Sequence, residues 1–304
     1  MGVRKSRIVS GLFVPLFAVG CVASSSMATV QFNWAVIGDV GNAADSTGFG
    51  SVSYRFSMAT TEVTNAQYAE FLNAKARTDS HGLYNENMAG PHGGIERSGS
   101  AGAYTYTVRG GREGHPVNFV SFMDSMRFVN WLQNGQGDGD TESGTYAVAN
   151  GLVEARAAGD RFVLPSENEW YKAAYYRGGG THAGYWAYGN SSDTADSAMA
   201  NLANAHGGTT MVGSFSANAL GVFDMAGNLS EWNEAMIDSQ SRGIRGGSWS
   251  ADASFAAATT RAMFPDDPGK ENADVGFRVA FVPAPGAGVV LLAAFASTGR
   301  RRSR

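Results

Sequence analysis

Two carboxylates lie close together in the stretch "RFVLPSENEWYKAAYYRGG", at Glu167 and Glu169. A close pair of carboxylates can supply a general acid and a general base. These two also follow Ser166, a favoured helix N-cap, and acids in the first turn of a helix are stabilised by its dipole. We therefore predict that both are capping acids and not a catalytic pair.

A glycine turn introduces the second candidate region, "RGGSWSADASFAAATTRAMF" at residues 245–264. Glycine allows backbone angles and close approaches that other residues resist, so Arg245 and the two glycines after it predict a tightly built turn. Such a turn can frame a functional site. The residues behind it are mainly alanine and carry no reactive side chain.

Metal and nucleophile signals are sparse in the rest of the chain. The five histidines show no helical pairing, and we expect loop or surface positions for His81, His92, His115, His182 and His206. The acidic stretch "NGQGDGDTESG" lacks the carboxylate spacing of an EF-hand and predicts a solvated loop, with a calcium loop as the alternative. The sequence contains no G-x-S-x-G motif, paired-histidine metal motif or phosphate loop.

Large side chains near these regions have structural explanations. We expect Arg245 and Arg278 to hold carboxylates or backbone carbonyls inside the fold, because a guanidinium offers several directed donors. Four aromatic residues either belong to the core or line a sugar-binding surface, and burial is the expectation for at least half of them. They are Trp186, Tyr188, Trp232 and Trp249.

Helices and short strands must position these residues. "TNAQ" at 64–67 fits a capping box before a first helix. A second helix is predicted from Ser121 or Phe122 to Leu132, with Gly135 as the residue that terminates it. A third helix is predicted after Ser166. Alternating apolar residues predict a strand over 52–58, and further strands are predicted at 104–108, 117–120 and 275–281. These elements predict an α+β chain.

Composition limits the class of protein. The 304 residues suffice for one large domain or two ordinary ones, and the formal charge of -4 gives no reason to expect a nucleic-acid partner. Glycine accounts for 40 residues while aromatic residues make up 11% of the chain. This combination predicts a loop-rich globular fold and not a disordered chain.

Residues 1–28 have the layout of a secretory signal, with a basic start, an apolar stretch and small residues at Ser26 and Ala28. Cleavage after Ala28 removes Cys21, the one cysteine, so the mature protein would have no disulfide, thiolate nucleophile or thiolate metal site. The alternative is a lipoprotein signal in which Cys21 is lipidated. Both predict export to the cell envelope or the extracellular space.

Residues 282–304 join a proline motif, an apolar run and an arginine cluster. The apolar run is short for a membrane-spanning helix, which needs roughly 20 residues. The order resembles the PEP-CTERM sorting tails of bacterial envelope proteins, in a variant form that reads Pro283-Ala284-Pro285. We predict membrane association through this tail before processing, with a frayed terminus as the alternative, and one extracytoplasmic domain over 29–281.

Six motifs occur in order along this domain: "EVTNAQYAEFLNA", "HPVNFVSFMDSMRFVNWL", "RFVLPSENEWYKAAY", "VGSFSANALGVFDMAGNLSEWNE", "RGIRGGSW" and "DVGFRVAF". Together they resemble the motif set of the formylglycine-generating enzyme family, also called sulfatase-modifying factor domains, over roughly residues 50–281. The resemblance implies an irregular, coil-rich α+β fold similar to C-type lectin-like domains.

In that family the activity is oxidation of a sulfatase cysteine to formylglycine by oxygen, with copper(I) held by two cysteines, whose thiolates suit a soft cation. When the family's arginine is aligned with Arg261, the cysteine positions fall on Ala253 and Ala258, so both thiols are missing. Nearby serine and threonine hydroxyls cannot hold copper(I), and copper is not expected. A related branch with a three-histidine iron site in an added helical domain does not match either.

The resemblance also implies calcium, a hard cation that oxygen ligands suit. "DMAGNLSE" matches one family calcium site, and the alternative is that its two acids only cap a tight turn. A second family site implies Asn201 and the Leu202 carbonyl, with its remaining ligands not placed. The ligands implied for the first site are the side chains of Asp224 and Glu231 and the backbone oxygens of Gly227 and Leu229.

These observations predict an exported, calcium-stabilised binding or structural module of the cell envelope, with a glycan or an envelope protein as its partner. The glycan partner rests on the lectin-like architecture alone, which is an analogy of fold. The alternative is an enzyme: either an oxidoreductase that generates formylglycine in sulfatases, or one that acts through an unrecognised site.

Overall fold

The computed structural model describes residues 1–2, 29–159, 161–261 and 267–284. Residues 3–28 of the predicted export signal and 285–304 of the predicted sorting tail lie outside the described residues. Within the described ranges, every helix is too short or too polar to span a bilayer.

Three α-helices confirm the three predicted from the sequence. They are α1 (Asn65–Lys75), α2 (Phe122–Gln133) and α3 (Glu167–Tyr175). Each begins with a complete capping box, in which the side chain of Thr64, Ser121 or Ser166 accepts from the third helical backbone N–H and the third side chain bonds back. Among the described residues, three 3-10 helices span Glu86–Ala89, Gly180–His182 and Ala253–Ala256.

Short strands make up the β-structure of the described residues. They are β1 (Trp34–Ile37), β2 (Phe56–Ala59), β3 (Ile95–Ser98), β4 (Thr105–Val108), β5 (Arg161–Val163), β6 (Tyr176–Gly178), β7 (Gly184–Tyr185), β8 (Ser230–Asp238), β9 (Ser241–Arg245), β10 (Val275–Gly276) and β11 (Ala280–Val282).

The strands form four small sheets. β1, β2, β11 and β5 lie in that spatial order with antiparallel pairing, and β10, β8 and β9 form a second sheet in which β10 is parallel to β8. β3 with β4 and β6 with β7 form two-stranded sheets. Because β11 lies between β2 and β5, the end of the domain is held by its beginning and middle.

Three of the strand predictions are wrong in whole or in part. The strand predicted over 52–58 begins only at Phe56, as β2, and residues 52–55 form no strand. Residues 117–120 form no strand, because Phe119 has a φ of 56° that interrupts the extended backbone. The predicted strand at 275–281 is divided into β10 and β11, since the chain leaves β8 and joins β2 between them. The short strand predicted at 104–108 is confirmed as β4.

The core has two main clusters of buried apolar side chains. One packs α1 against α2 through interlocking rings that include Tyr68, Phe71 and Phe128. The other packs α3 against the first sheet, with Trp170 and Met58 fully buried. Each large apolar side chain so buried contributes about 1.5–3 kcal/mol relative to exposure, so these clusters fix the framework around the candidate site.

Candidate functional site

The glycine turn after β9 is built as its sequence predicts. Gly246 and Gly247 have φ angles of 100° and 66°, in the left-handed region that favours glycine. A Cβ on Gly247 would lie 3.0 Å from the backbone nitrogen of Ala256. Glycine is therefore required for the backbone angles and, at Gly247, for the close approach of the 3-10 helix Ala253–Ala256.

Arg245 and Glu167 form a buried ion pair beneath this turn. The Nε of Arg245 donates to Glu167 Oε1 at 2.5 Å, and its Nη1 donates to the carbonyls of Ala258 and Thr260. Glu167 is also 3.2 Å from a guanidinium nitrogen of Arg261. The expectation that Arg245 holds a carboxylate and carbonyls is confirmed.

Glu169 points to a different set of partners. It forms a two-point ion pair with Arg156, with both contacts at 2.8 Å, and accepts from the hydroxyl of Tyr54 at 2.7 Å. Arg156 also pairs with Glu234. Both carboxylates of the "SENE" stretch are therefore held by arginines, in addition to their place in the first turn of α3.

Ala253 and Ala258 carry no donor atom for a metal. Ala258 is buried beside Met225 in the α3 cluster, and Ala253 is half-buried against a separate small cluster that includes Leu202 and Ala226. The two methyl groups thus belong to different apolar clusters. Because neither side chain offers sulfur, nitrogen or oxygen, the residues at these positions do not fit a copper(I) ion.

Glu62, Asp224 and Glu231 form a buried acidic cluster around Arg278. Arg278 donates to both oxygens of Glu231, at 2.6 and 2.5 Å, and Trp170 Nε1 donates to Glu231 at 2.8 Å. Burial raises the pKa of the Glu62 carboxyl well above its ordinary value, and the nearby charge of Asp224 adds to this effect. Burial also raises the pKa of Asp224. Three buried carboxyl groups therefore face one guanidinium.

Two asparagines extend this cluster. Asn201 Nδ2 donates to the carbonyl of Gly208 at 3.0 Å and to Asn228 Oδ1 at 3.2 Å, and Asn228 Nδ2 donates to Glu62 Oε1 at 3.1 Å. Asn201 Oδ1 and Glu62 Oε2 are buried oxygens without a hydrogen-bond partner. Buried acceptors of this kind are normally satisfied by a donor, a water or an ion.

The turn of "DMAGN" brings part of the family-implied calcium set together. Asp224 and Gly227 have φ angles of 57° and 79°, and the backbone N–H of Asn228 donates to the Asn201 carbonyl at 2.9 Å. A Cβ on Gly227 would collide with the same carbonyl, so this glycine is required for the close approach. Gly227 and Asn201 are therefore neighbours.

The remaining family-implied ligands have other partners. The Leu202 carbonyl accepts from the Ala205 N–H at 3.1 Å, and both oxygens of Glu231 accept from Arg278. Leu229 is fully buried immediately before β8. Across the described chain, no three His, Cys, Asp or Glu side chains are grouped to hold a metal. A cation here would depend on amide and backbone oxygens, and the free oxygen of Asn201 fits that chemistry.

The histidines are half-buried or exposed, as predicted. His182 ends the 3-10 helix Gly180–His182, and the others lie in separate loops. His92 stacks on Trp249 with ring centroids 4.9 Å apart. His115 lies 3.1 Å from the Thr209 hydroxyl, and burial together with the charge of Arg112 lowers its pKa. Asp140 of the predicted solvated loop is exposed and bonds within its own loop.

The four aromatic candidates separate into two pairs. Trp232 is fully buried and donates to the Val120 carbonyl at 3.0 Å, and Trp249 is only 9% exposed. Trp186 and Tyr188 are half-buried at the surface. The first pair therefore belongs to the core, which confirms the prediction for half of the set.

Residues 50–282 match the family model of the sulfatase-modifying factor enzyme 1-like domain. The chain belongs to this family. Two solved structures share its fold. Treponema denticola variable protein 1 has a TM-score of 0.57 and 20% sequence identity, and the match covers 85% of this chain and 98% of that protein. CarF has a TM-score of 0.52 and 23% sequence identity, and the match covers 83% of this chain and 99% of CarF. None of the curated proteins compared matches this sequence.

Glu62 and Asn228 were not singled out from the sequence. Glu62 lies in the connection between β2 and α1, where an acid is normally exposed, yet it is 0% exposed here. Asn228 lies inside the "DMAGNLSE" motif between implied ligands, and this position was the available signal.

Proposed function

We propose that this protein is an exported binding module of the cell envelope, which keeps the fold of its family without the copper oxidase chemistry. The observation that carries the proposal is the pair Ala253 and Ala258, whose methyl groups pack into apolar clusters where the resemblance expects copper-binding thiols. A copper oxidase needs these donors, whereas a binding module does not.

The proposed binding surface, here called the aromatic surface, consists of Arg177, Trp186 and Tyr188. Both rings are half-buried, and the Arg177 guanidinium lies 4.9 Å from the Trp186 ring centroid. Tyr188 pairs with Ala257 through a β-bridge and packs on the same small cluster as Ala253. Partly exposed aromatic rings beside polar groups suit the apolar faces and hydroxyls of sugars, so a glycan is the proposed partner and an envelope protein the other candidate.

Calcium is proposed as a structural ion of this module. In the first site, Asp224 and Glu231 would bind through side chains and Gly227 and Leu229 through backbone oxygens. In the second site, Asn201 would bind through its side chain and Leu202 through its carbonyl. The ion of the first site would supply positive charge to a cluster in which three carboxyl groups surround one guanidinium. The partnerless oxygen of Asn201 supports the proposal.

Location in the envelope is proposed from the sequence patterns at the two ends of the chain. Residues 1–28 are proposed as the export signal and 282–304 as a sorting tail that holds the protein at the membrane before processing. Fractionation of cells that produce the tagged protein tests both, since truncation of either end should change the compartment in which it is found.

Glycan-array binding of the purified protein, with and without a chelator, tests the binding role. We expect saturable binding that Trp186→Ala abolishes and that Trp34→Ala, at a half-buried tryptophan in β1, leaves unchanged. Binding that the two variants affect equally would contradict the aromatic surface. Copper-dependent oxygen uptake with a cysteine-containing sulfatase peptide would contradict the whole proposal and favour the enzyme.

A further inference from the structure

Arg177 is the extra residue of a β-bulge in the hairpin of β6 and β7. The register of the two strands shifts between Tyr176 and Gly178, so Arg177 is not paired with a residue of β7. A bulge of this kind re-aims a side chain and is common next to functional sites. Arg177 is exposed, and its guanidinium lies 4.9 Å from the centroid of the Trp186 ring. The bulge therefore accounts for the position of Arg177 in the aromatic surface.

A glycine on β7 leaves room for the Arg177 side chain. A Cβ on Gly184 would lie 2.7 Å from Arg177 Nε and 3.0 Å from its Cγ. Both distances are shorter than the usual contact of about 3.5–4.0 Å between non-bonded carbon atoms. The side chain thus lies close against the backbone of Gly184, with the Trp186 ring as a second support. A guanidinium held in this way loses little conformational freedom when a ligand binds.

The charge of Arg177 has no counter-charge in the described part of the chain. No carboxylate there pairs with it, whereas Arg156, Arg245 and Arg278 each hold one. Those three arginines are structural, because their donors are used inside the fold. Arg177 is at the surface and keeps its donors available to a ligand.

The acids near the hairpin bond to groups other than Arg177. Asp39 accepts from the Tyr176 hydroxyl, and Asp193 Oδ1 accepts from the Ala187 N–H at 3.1 Å. These bonds hold the two carboxylates at the polypeptide and away from the guanidinium. A negative charge that meets Arg177 would therefore come from outside the described chain.

The chemistry of a stacked guanidinium indicates what this ligand is. The contact with the Trp186 ring uses the flat face of the guanidinium, and the N–H donors around its edge point away from that contact. A carboxylate matches two of these donors with two parallel hydrogen bonds. In a sugar, a carboxylate is the defining group of a uronic acid.

We propose that the glycan bound at the aromatic surface is acidic, and that Arg177 holds the carboxylate of a uronic acid in it. This inference rests on the proposed function, in which the aromatic surface binds a glycan. It adds the class of glycan and the residue that selects it.

A glycan array tests the inference with the full chain. The array carries galacturonate, glucuronate and mannuronate oligomers, each beside its methyl ester, together with neutral and sulfated oligosaccharides. Esterification removes the negative charge and leaves the sugar rings unchanged, so each ester is the matched neutral ligand. We expect at least one uronate oligomer to bind about tenfold or more tightly than its ester.

Two variants separate the charge of Arg177 from its placement. Arg177→Gln should weaken binding of the acidic oligomer about tenfold and leave the ester unaffected. Gly184→Ala keeps the charge but displaces the guanidinium, and should also weaken binding of the acid. The controls are Arg55→Gln, at another exposed arginine, and Gly110→Ala, where an added Cβ meets no atom within 4 Å. Both controls should bind as the unaltered protein does.

Three results would overturn the inference while leaving a glycan-binding function intact. They are equal affinity for the acids and their esters, unchanged binding by Arg177→Gln, and tighter binding of sulfated glycans than of uronates. An equal loss of affinity in Arg177→Gln and Arg55→Gln would overturn it as well, because net charge alone would then explain the effect. Binding to no glycan, acidic or neutral, would overturn both this inference and the glycan partner of the proposed function.

Discussion

Arg278 and Glu231 form a two-point ion pair in which both side chains are fully buried. Nε donates to Oε2 at 2.6 Å and Nη2 to Oε1 at 2.5 Å. The guanidinium also donates to the Ala59 carbonyl at 3.2 Å and the Phe223 carbonyl at 3.0 Å. The pair therefore joins β2 and β8 to Phe223, which directly precedes the "DMAGN" turn.

Replacing Glu231 by glutamine should destabilise the fold strongly, because it leaves the Arg278 guanidinium buried without its counter-charge. Breaking a buried pair in this way costs about 3–5 kcal/mol. Urea unfolding in the presence of a chelator measures the ion pair apart from any bound cation. The control is Glu142→Gln, which breaks a more exposed pair with Arg127 and should cost at most about 1 kcal/mol. An equal decrease in the free energy of unfolding in the two variants would contradict a stabilising role for the buried pair of Arg278 and Glu231.

Gly247→Ala should destabilise the turn after β9 for two reasons. A left-handed φ costs a non-glycine residue about 1–2 kcal/mol, and the added Cβ would meet the backbone nitrogen of Ala256 at 3.0 Å. Gly41→Ala is the matched control, since Gly41 has a φ of 77° but no atom within 4 Å of its added Cβ. Thermal unfolding should show a larger loss of stability for Gly247→Ala than for Gly41→Ala. Equal losses of stability would mean that the backbone of Ala256 does not approach Gly247 closely enough to exclude a Cβ.

The helices could be predicted because their signals are local. Thr64 and Ser166 cap helices through contacts three residues away, which the sequence displays directly. The strand prediction at 275–281 failed because its division depends on β8 and β2, which are distant in the chain. β8 itself was missed, since buried polar residues such as Glu231 and Asn233 conceal its strand character.

The candidate site could be predicted in outline through its motifs but not in its bonding. Asn228 donates to Glu62, a partner 166 residues away, and no spacing rule connects the two. Arg278 was expected to hold a carboxylate, and the structure identifies Glu231 as that carboxylate. Buried polar networks of this kind are specified by tertiary packing, so the sequence names their members without their pairings.

Asn42 should control the closure of the loop that precedes β2. It is 1% exposed, and its Nδ2 donates to the Gly50 carbonyl at 2.7 Å while its Oδ1 accepts from the Val52 N–H at 3.2 Å. Asn42→Ala leaves these two backbone groups unpaired, at a cost of about 1–3 kcal/mol. Hydrogen exchange at the Val52 amide should become faster.

Ser51→Ala serves as the control for the loop, because Ser51 is exposed and bonds only to the Asn42 carbonyl at 2.8 Å among the contacts of the described chain. It should leave the exchange rate at Val52 nearly unchanged. If both variants leave that rate unchanged, the backbone bond from Gly41 N–H to the Val52 carbonyl is sufficient to close the loop.

Acid should destabilise the protein partly through Glu154. Burial tends to raise the pKa of this carboxyl. Three backbone N–H groups donate to it, from Gly151 at 2.9 Å, Ala149 at 2.7 Å and Val153 at 3.0 Å. These hydrogen bonds lower the pKa below its ordinary value. A folded-state pKa below the unfolded value of about 4.3 gives stability that is complete above that pH. This stability is lost as the pH falls through the folded pKa.

Glu154→Gln should therefore lower the free energy of unfolding by about 1–3 kcal/mol at neutral pH and by less in acid, so that its stability depends less on pH than that of the unaltered protein. Urea unfolding at a series of pH values measures this difference. Glu96→Gln, at an exposed carboxylate of β3, should give a curve parallel to that of the unaltered protein. A parallel curve for Glu154→Gln as well would show that the three backbone donors do not hold the ionised carboxylate, because loss of its charge would then change stability equally at every pH.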